Sequence, residues 1–469
     1  MTKDDQIVAL TAKVEELQQN LLIALAKIAE LEQRLRKNSR NSDKPPSSDG
    51  LSKKPAIPRK KGVRKPGGQT GHKGHTLELV AEPKHVEIHP VTVPTCSCGC
   101  QLNTEADTKP HWDRRQVFDL PPQLLEVTEH HLERKTCRGC GKLHLGEFPL
   151  GVNAPVQYGE RVRALSVLLN VELNMPLGRV QQLFAGLTGQ SINESTIHSA
   201  VERNFNTLAT EEQIIHDELL KTGVVHADET GARVAGKLHW VHGMGSEEYT
   251  LYRVEEKRGG PIINGADSHL AGRKGWLVHD CLNSYLSMPS NEIKHSLCNA
   301  HILRELTALI ENESTTTWPA QLHELLMDYY RASNFGKGVV AAEKLVRLDA
   351  KYMQLLKLAN SEEPTGVPSS RGRPKQTKGR NLYDRLNKWR DAVVAFARHQ
   401  KVPFTNNLAE RDVRPWKTKL KVSGCFRTLV GARRYARIKG FCSTAKKQGL
   451  VVYDELVKVQ RGTSFLRLT

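Results

Sequence analysis

The sequence predicts an α/β fold in which apolar strands carry acidic residues to one edge of a sheet. A β-branched run at residues 223–225 leads to Asp228 and Glu229, as expected for a buried strand that ends in an exposed acidic tip. Further downstream, the apolar residues 275–279 lead to Asp280. Other strand-like runs occupy residues 237–243, 249–254 and 292–297. Three adjacent strands, a crossover and two further strands, with acids on the first and fourth, predict a ribonuclease-H-like core.

A third acid completes a possible metal site. Glu410 lies far downstream in a helix-like stretch that opens with Asn406 and Asn407. Three carboxylates can bridge two divalent cations ~3.5–4 Å apart, which is what two-metal phosphoryl transfer needs. A single Asp at a strand end is more often a cap or a turn former. Because the three acids occur together, we predict Asp228, Asp280 and Glu410 as catalytic ligands of Mg²⁺ (or Mn²⁺).

The charge balance indicates a polyanionic partner. Lys and Arg number 69 and Asp and Glu 51, a net charge of +18, which favours nucleic acid or an anionic membrane surface. The longest apolar run near the N-terminus, residues 21–26, is far short of the ~20 residues that span a bilayer, and acids at positions 4, 5, 15 and 16 argue against a signal peptide. Nine cysteines, five of them in two clusters, suggest metal ligands in a reducing cytosol. We therefore expect a cytoplasmic protein that binds DNA.

Residues 1–37 are predicted to form a coiled coil. Apolar residues recur at alternating steps of three and four, at Ile7, Leu10, Val14, Leu17, Leu21, Ala24, Ile28, Leu31 and Leu35. Four unbroken heptads of this kind favour a parallel dimer. The alternative is a helix that folds back on its own core.

Residues 38–80 are predicted to form a basic, disordered arm. Residues 36–75 contain twelve Lys and Arg against two Asp, with scattered Pro and Gly, so that the segment cannot bury a core. Such an arm places Lys and Arg on DNA phosphates with little sequence preference. The predicted phosphate contacts include Lys53, Lys54, Lys60 and Lys61. A merely solubilising linker is the alternative.

Residues 81–150 are predicted to form a zinc-binding module. Cys137 and Cys140 form a CxxCG knuckle, whereas Cys96, Cys98 and Cys100 offer either CxC or CxxxC. Four thiolates drawn from these five would complete a structural tetrahedral Zn²⁺ site. Unpaired buried cysteines are the alternative.

Residues 151–220 are helical in pattern and resemble a helix-turn-helix. A helix ends near Thr188, a short Gly-bearing turn follows, and a second helix opens at Asn193. Asn193 and Thr196 on its opening turns are candidates for contacts to base edges in the major groove. An ordinary helical hairpin without a DNA-binding role has the same pattern.

Residues 221–425 are predicted as the catalytic domain, with a helical insertion at about 300–400 and a basic C-terminal region at 426–469. Residues 401–440 contain eleven Lys and Arg against two acids. Of these, Arg411, Arg414 and Lys417 lie near Glu410 and are predicted to hold the DNA backbone. Cys298 and His301 are candidates for a local structural pair, but we prefer a core cysteine and a histidine on a helix surface.

Several motifs resemble the insertion sequence 66 family of bacterial DDE transposases, TnpC-type. They are HADETGARV (226–234), VHDCLNSY (278–285), Cys298 and His301 followed by Arg-Glu, NNLAERDVRP (406–415), and the arm motifs KNSRNSDKPPSSDG and GGQTGHKGHTL. The resemblance covers nearly the whole chain and implies metal-dependent cleavage at transposon ends. In the reaction that the resemblance implies, the freed 3′-hydroxyl is then joined to target DNA without a covalent enzyme intermediate. It also implies double-stranded DNA as partner, a homo-oligomer of at least two chains, possible accessory transposition proteins and a place in the bacterial nucleoid.

Two departures from the family pattern stand out. Cys281 follows Asp280 where the family usually has Gly, and the first cysteine cluster is not the usual CxxCG. A catalytically silent, transposase-derived DNA-binding regulator is the main alternative function. All three acids are present, whereas a decayed copy is expected to have lost at least one. A structure-specific nuclease of the same fold would not explain the coiled coil, arm and zinc knuckles together.

Overall fold

In a computed structural model of the chain, the described residues are 3–35, 37–38, 41–42, 79–89, 95–99, 114–118, 121, 124–140, 143–288, 292–312, 316–336, 338–365 and 376–463. The chain divides into two units, Lys53–Glu133 and the combination of Met1–Ser52 with Arg134–Thr469. The arm residues Lys53, Lys54, Lys60 and Lys61 lie outside the described residues, as does Cys100.

The N-terminal segment forms one long helix, α1 (Lys3–Leu35). Its apolar residues point to solvent: Leu10, Val14, Leu17, Leu21, Ile28 and Leu31 are all about half exposed or more. A helix with the predicted heptad spacing is therefore observed. Its self-association stays a prediction.

In the unit Lys53–Glu133, the described residues include one hydrogen-bonded pair and one tight turn. Val80 and Gln116 exchange two hydrogen bonds of 2.7 Å, from Val80 N to Gln116 Oε1 and from Gln116 Nε2 to Val80 O. Around the first cysteine cluster, Gly99 adopts a φ of +91° and its N–H donates to Cys96 O at 2.9 Å, which closes a tight turn.

The other unit continues with a hairpin and a group of helices. Strands β1 (Arg134–Thr136) and β2 (Leu143–Leu145) pair in antiparallel orientation. The helices that follow are α2 (Glu160–Val167), a π-helical turn (Leu168–Glu172), α3 (Leu177–Thr188), α4 (Glu194–Thr207) and α5 (Ala209–Lys221). Gly189 ends α3 in the left-handed conformation, with a φ of 71°, and Asn193 caps α4 by accepting the Ser195 N–H at 2.9 Å. Two helices joined by a short Gly-bearing turn therefore lie where the sequence predicts them, and their role as a DNA-binding helix-turn-helix stays a prediction.

A five-stranded mixed sheet follows, in the order β5-β4-β3-β6-β7. Its strands are β3 (Val224–Val234), β4 (Lys237–Gly245), β5 (Thr250–Glu255), β6 (Gly275–His279) and β7 (Ile293–Leu297). Strands β3, β4 and β5 pair in antiparallel orientation, whereas β3, β6 and β7 are parallel. Four of the five strands lie where the sequence predicted them.

The prediction that β3 ends in an exposed acidic tip is wrong. The strand continues from Asp228 to Val234, because its second half pairs with β4 as far as the Val234–Lys237 pair. Ala235 and Gly236, with φ values of 48° and 77°, form the two-residue turn between them. Asp228 therefore lies in the middle of a strand.

Helices connect the strands and form a second core. Short helices α6 (Gly260–Asn264) and α7 (Asn283–Leu286) flank β6 in the chain. The predicted insertion consists of α8 (Asn299–Asn312), α9 (Trp318–Ala332), α10 (Ala342–Glu362), α11 (Lys378–Lys388), α12 (Arg390–Val393) and α13 (Ala395–Arg398). Their buried apolar residues, among them Trp318, Tyr329 and Phe396, form a cluster of their own that reaches the sheet at Leu297.

The last three helices close the sheet. They are α14 (Asn407–Ser423), α15 (Leu429–Lys447) and α16 (Val452–Arg461). Trp416 of α14 and Phe441 of α15 join Val225, Val241 and Tyr252 of the sheet in the main hydrophobic core. Among the described residues, no helix is long and apolar enough to cross a membrane.

Candidate active site and metal centres

The register of the sheet brings two of the predicted acids side by side. Parallel pairing aligns His226 of β3 with Val278 of β6. Asp228 lies two residues after His226, and Asp280 lies two residues after Val278 and directly follows the end of β6. The two acids are close enough for the Asp280 charge to act on Asp228. The turn after β6 orients the second acid, because Asp280 Oδ1 accepts the Leu282 N–H at 3.0 Å.

Asn406 connects the helix of the third acid to the strand of the first. Its buried side chain donates from Nδ2 to Ala227 O at 2.8 Å, and its own carbonyl accepts the Glu410 N–H at 3.1 Å. Since Nδ2 faces a carbonyl, Oδ1 must accept from His226 Nδ1 at 2.9 Å. Burial lowers the pKa of His226 to about 4, so that this imidazole is neutral with its proton on Nδ1. Glu410, in the first turn of α14, is thereby fixed relative to Asp228.

The three acids interact electrostatically. Burial, followed by the charges of Glu229, Asp280 and Glu410, raises the pKa of Asp228 to about 7. Several carboxylates in a partly buried site repel one another. A bound divalent cation offsets this repulsion, because it supplies positive charge between them. The hard oxygen donors also fit Mg²⁺ or Mn²⁺.

A second layer around the acids was not predicted from the sequence. The Glu229 side chain is fully buried, Arg258 contacts its Oε1 at 2.9 Å, and Tyr285 donates its hydroxyl to Oε2 at 2.9 Å. The Arg258 guanidinium also lies 3.9 Å from Asp280 Oδ2. Burial and the Asp280 charge raise the pKa of Glu229 to about 7, in spite of the opposing effect of Arg258 and Tyr285. Tyr285 lies in the motif that includes Asp280, so its position in the sequence could have indicated a role at the site. Arg258 lies in the connection between β5 and β6, where no sequence pattern indicates such a role.

A second candidate metal centre adjoins Glu410. Within the described part of the chain, one group of three metal-ligating side chains has its ligand atoms all within 4.8 Å of one another: Cys298, His301 and Glu410. The expectation of a surface histidine is therefore wrong, since His301 faces Glu410, with Nδ1 3.9 Å from Oε1 and a side chain only 19% exposed. Burial lowers the pKa of His301, but the interaction with Cys298 outweighs it and raises the pKa to about 9. Cys298 lies in the core as expected.

The second cysteine cluster lies in the connection of a short β-hairpin, and its role as a zinc knuckle stays a prediction. Cys137 and Cys140 lie between β1 and β2, and the backbone N–H groups of Cys140 and Gly139 lower the pKa of the Cys137 thiol. A thiolate stabilised in this way is the form that binds Zn²⁺. Cys96 and Cys98 lie on the tight turn closed by Gly99.

The predicted DNA contacts fall into three groups. Arg411, Arg414 and Lys417 are exposed on α14. Asn193 is also exposed, but its side-chain oxygen caps α4, and Thr196 is half-buried one turn later. The four arm lysines lie outside the described residues, so their role stays a prediction.

Comparison with known families agrees with the motifs. A family model described as "Transposase IS66 family" matches residues 155–434, more than half of the chain. A model described as "zinc-finger binding domain of transposase IS66" matches residues 94–141, which include both cysteine clusters. A family of unknown function matches residues 3–78. No curated protein matches the chain.

Proposed function

Because this chain belongs to the IS66 family of transposases, we propose that it cuts the ends of a bacterial insertion sequence and joins the freed 3′-hydroxyl to target DNA. The observation that carries the proposal is the convergence of Asp228, Asp280 and Glu410 from two neighbouring strands and one helix. Burial, followed by the charges of Glu229, Asp280 and Glu410, raises the pKa of Asp228 to about 7.

The catalytic core in this proposal is ribonuclease-H-like. Three antiparallel strands followed by two parallel ones, in the order β5-β4-β3-β6-β7, support that assignment. Acids on the first and just after the fourth strand, and a third on a helix after the insertion, fit a DDE arrangement. Neither feature depends on the family match.

In the proposed mechanism, the three acids are the ligands of the catalytic cations. Bound Mg²⁺ or Mn²⁺ would lower the pKa of the attacking water or 3′-hydroxyl and neutralise charge on the scissile phosphate. The chain's own residues supply rigidity: Asn406 fixes Glu410 against the strand of Asp228, and the Leu282 N–H orients Asp280. Arg258, shared between Glu229 and Asp280, limits the repulsion within the acidic group. Such preorganisation is what a phosphoryl-transfer site needs, since its catalysis consists of positioning and charge stabilisation.

DNA binding is proposed to use three surfaces. The exposed Arg411, Arg414 and Lys417 follow Glu410 on α14, where they would contact the backbone of the DNA being cut. The basic arm would add phosphate contacts that weaken steeply with salt. Helix α4 would read end sequences from the major groove, with Thr196 as one contact.

Zinc binding and pairing of two chains would complete the assembly. Zn²⁺ bound by Cys137, Cys140 and two cysteines of the first cluster would stabilise the zinc-binding module at residues 81–150. Helix α1 would pair with α1 of a second chain through its exposed heptad residues, since joining two transposon ends requires two catalytic chains. Accessory transposition proteins and a nucleoid location are further proposals that rest on the family.

The alternative is a catalytically silent DNA-binding regulator. Such a regulator would have the same DNA-binding surfaces but would not need three converging carboxylates. This alternative is therefore not favoured. Purified protein incubated with labelled candidate end DNA separates the two. The transposase proposal expects 3′-end nicks and joined products that require Mg²⁺ or Mn²⁺ and disappear with chelator. Tight and specific binding to end DNA without any cut or joined product in either metal would contradict it and favour the regulator.

A further inference from the structure

The group formed by Cys298, His301 and Glu410 is unlike an Mg²⁺ site. We propose that it is a second metal centre, which binds Zn²⁺ or a similar transition-metal ion and thereby withdraws Glu410 from the catalytic acids. The binding part of this proposal is independent of the proposed function, whereas its inhibitory consequence rests on it.

The spacing of the three ligand atoms supports the site. All lie within 4.8 Å of one another, and His301 Nδ1 is 3.9 Å from Glu410 Oε1. That separation is too long for a hydrogen bond. Both atoms are nevertheless buried and lack a hydrogen-bond partner of normal geometry among the described residues, although the His301 side chain interacts with Cys298. Buried polar atoms without partners are costly, and a cation bound between these two atoms and the thiol would supply the missing partner.

The local backbone arranges the ligands before any metal binds. The His301 N–H donates to Cys298 O at 3.2 Å, which places the cysteine and the histidine on one turn at the start of α8. The Asn406 N–H donates to Cys298 Sγ at 3.2 Å and thereby connects the thiol to the start of the Glu410 helix. Two elements far apart in the chain are thus fixed around one point.

The donor set selects the class of metal. One sulfur, one imidazole nitrogen and one carboxylate oxygen suit Zn²⁺, Co²⁺ or similar ions, whereas Mg²⁺ prefers oxygen donors alone. The side chains of His301 and Glu410 are 19% and 22% exposed, whereas their facing atoms Nδ1 and Oε1 and the Cys298 side chain are buried. Three protein ligands leave a fourth position to be filled by water, as in zinc sites that are not purely structural.

The consequence follows from the shared carboxylate. Binding of Glu410 Oε1 to a transition-metal ion held by Cys298 and His301 competes with the binding of this carboxylate to the catalytic cations, because it adds a second positive charge beside them and fixes the side chain toward Cys298. Zn²⁺ is therefore expected to inhibit cleavage in the presence of Mg²⁺, and the inhibition is expected to depend on the thiol.

The test measures bound metal directly in the full-length protein. Wild type is compared with the near-isosteric Cys298→Ser and with Cys442→Ser, a matched control at another fully buried cysteine. Each protein is titrated with Co²⁺, and zinc plus bound cobalt per chain is determined together with the visible absorption of thiolate-bound Co²⁺. This sum includes the metal bound by the zinc-binding module, so the comparison uses only the difference in metal content between the variants. We expect about one metal ion fewer per chain in Cys298→Ser, because loss of a direct ligand should exceed the ~10–100-fold cost of losing an outer-shell partner. Cys442→Ser should equal wild type.

Two further measurements complete the test. His301→Gln should lose the same metal ion as Cys298→Ser, which would show that the loss is not caused by the introduced serine. In cleavage assays with Mg²⁺, added Zn²⁺ should inhibit wild type and Cys442→Ser but leave Cys298→Ser nearly unaffected. Equal metal content and equal absorption in wild type and Cys298→Ser would overturn the proposal, whether or not the protein cleaves DNA. Metal binding without any cleavage by wild type would instead contradict the proposed function alone.

Discussion

Replacing Asn406 by Ala tests the connection between the Glu410 helix and the Asp228 strand. The change removes two side-chain hydrogen bonds, the donation to Ala227 O at 2.8 Å and the acceptance from His226 Nδ1 at 2.9 Å. Both partners are buried. A buried group left without its partner costs ~1–3 kcal/mol, so we expect Asn406→Ala to lower the free energy of unfolding by roughly 2–6 kcal/mol.

The assay combines urea unfolding with DNA cleavage. Asn407→Ala is the matched control, since Asn407 is the next residue and is exposed. We expect it to differ from wild type by no more than ~0.5 kcal/mol, as is usual for surface substitutions. At a temperature where circular dichroism shows Asn406→Ala still folded, its cleavage rate should be lower than wild type and should need more Mg²⁺ for half-maximal activity. If Asn406→Ala unfolds at the same urea concentration as Asn407→Ala and needs no more Mg²⁺ than wild type, the positioning role of Asn406 is refuted.

Three other predictions use different parts of the chain. Cys137→Ser should release about one Zn²⁺ per chain, because structural zinc binds through all its ligands at once, whereas Cys425→Ser, at an exposed cysteine outside the module, should retain it in metal analysis. Leu17→Lys puts a charge in a heptad position of α1 and should reduce the molecular mass measured by light scattering. Leu22→Lys, outside the heptad positions, should leave the mass unchanged. Equal masses for wild type and Leu17→Lys would exclude the coiled coil as the dimer contact. Burial lowers the pKa of His269 from 6.5 to about 3, so the folded protein binds fewer protons than the unfolded chain between these values. The stability from His269 is therefore fully present above about pH 6.5 and is lost as pH falls, by ~1.4 kcal/mol per pH unit. Urea unfolding between pH 7 and 5 should show a shallower decline for His269→Gln than for wild type, and identical slopes would contradict the reasoning.

The strands and most helices were predictable because their signals are local. The apolar run that leads to Asp280 needs only neighbouring residues to be recognised, and β6 ends one residue before that acid. The end of β3 was missed because it is determined by pairing with β4. The residues after Glu229 have no strong strand pattern, and the hairpin forms because Ala235 and Gly236 both adopt positive φ values.

The acids of the candidate site were predictable as types, but their surroundings were not. Glu229 binds Arg258 and Tyr285, which are 29 and 56 residues further along the chain, and the sequence gives no reason to pair them. Asn406 was seen only as the start of a helix, although its side chain reaches a strand 179 residues earlier. Likewise, the histidine of a CxxH motif looks like a surface residue until the fold places Glu410 opposite it. Contacts of this kind depend on the packing of distant elements.

Asp228, Asp280 and Glu410 are proposed to be the metal ligands for phosphoryl transfer. The most direct measurement is 3′-end cleavage and joining by Asp228→Asn, Asp280→Asn and Glu410→Gln, each together with its affinity for end DNA, with Asp267→Asn as a control at an exposed acid. Each of the three changes should reduce cleavage by more than the ~100-fold that loss of an outer-shell partner costs, with DNA binding nearly unchanged. The control should keep full activity. Cleavage near the wild-type rate in any one of the three variants would show that the changed residue is not a catalytic metal ligand.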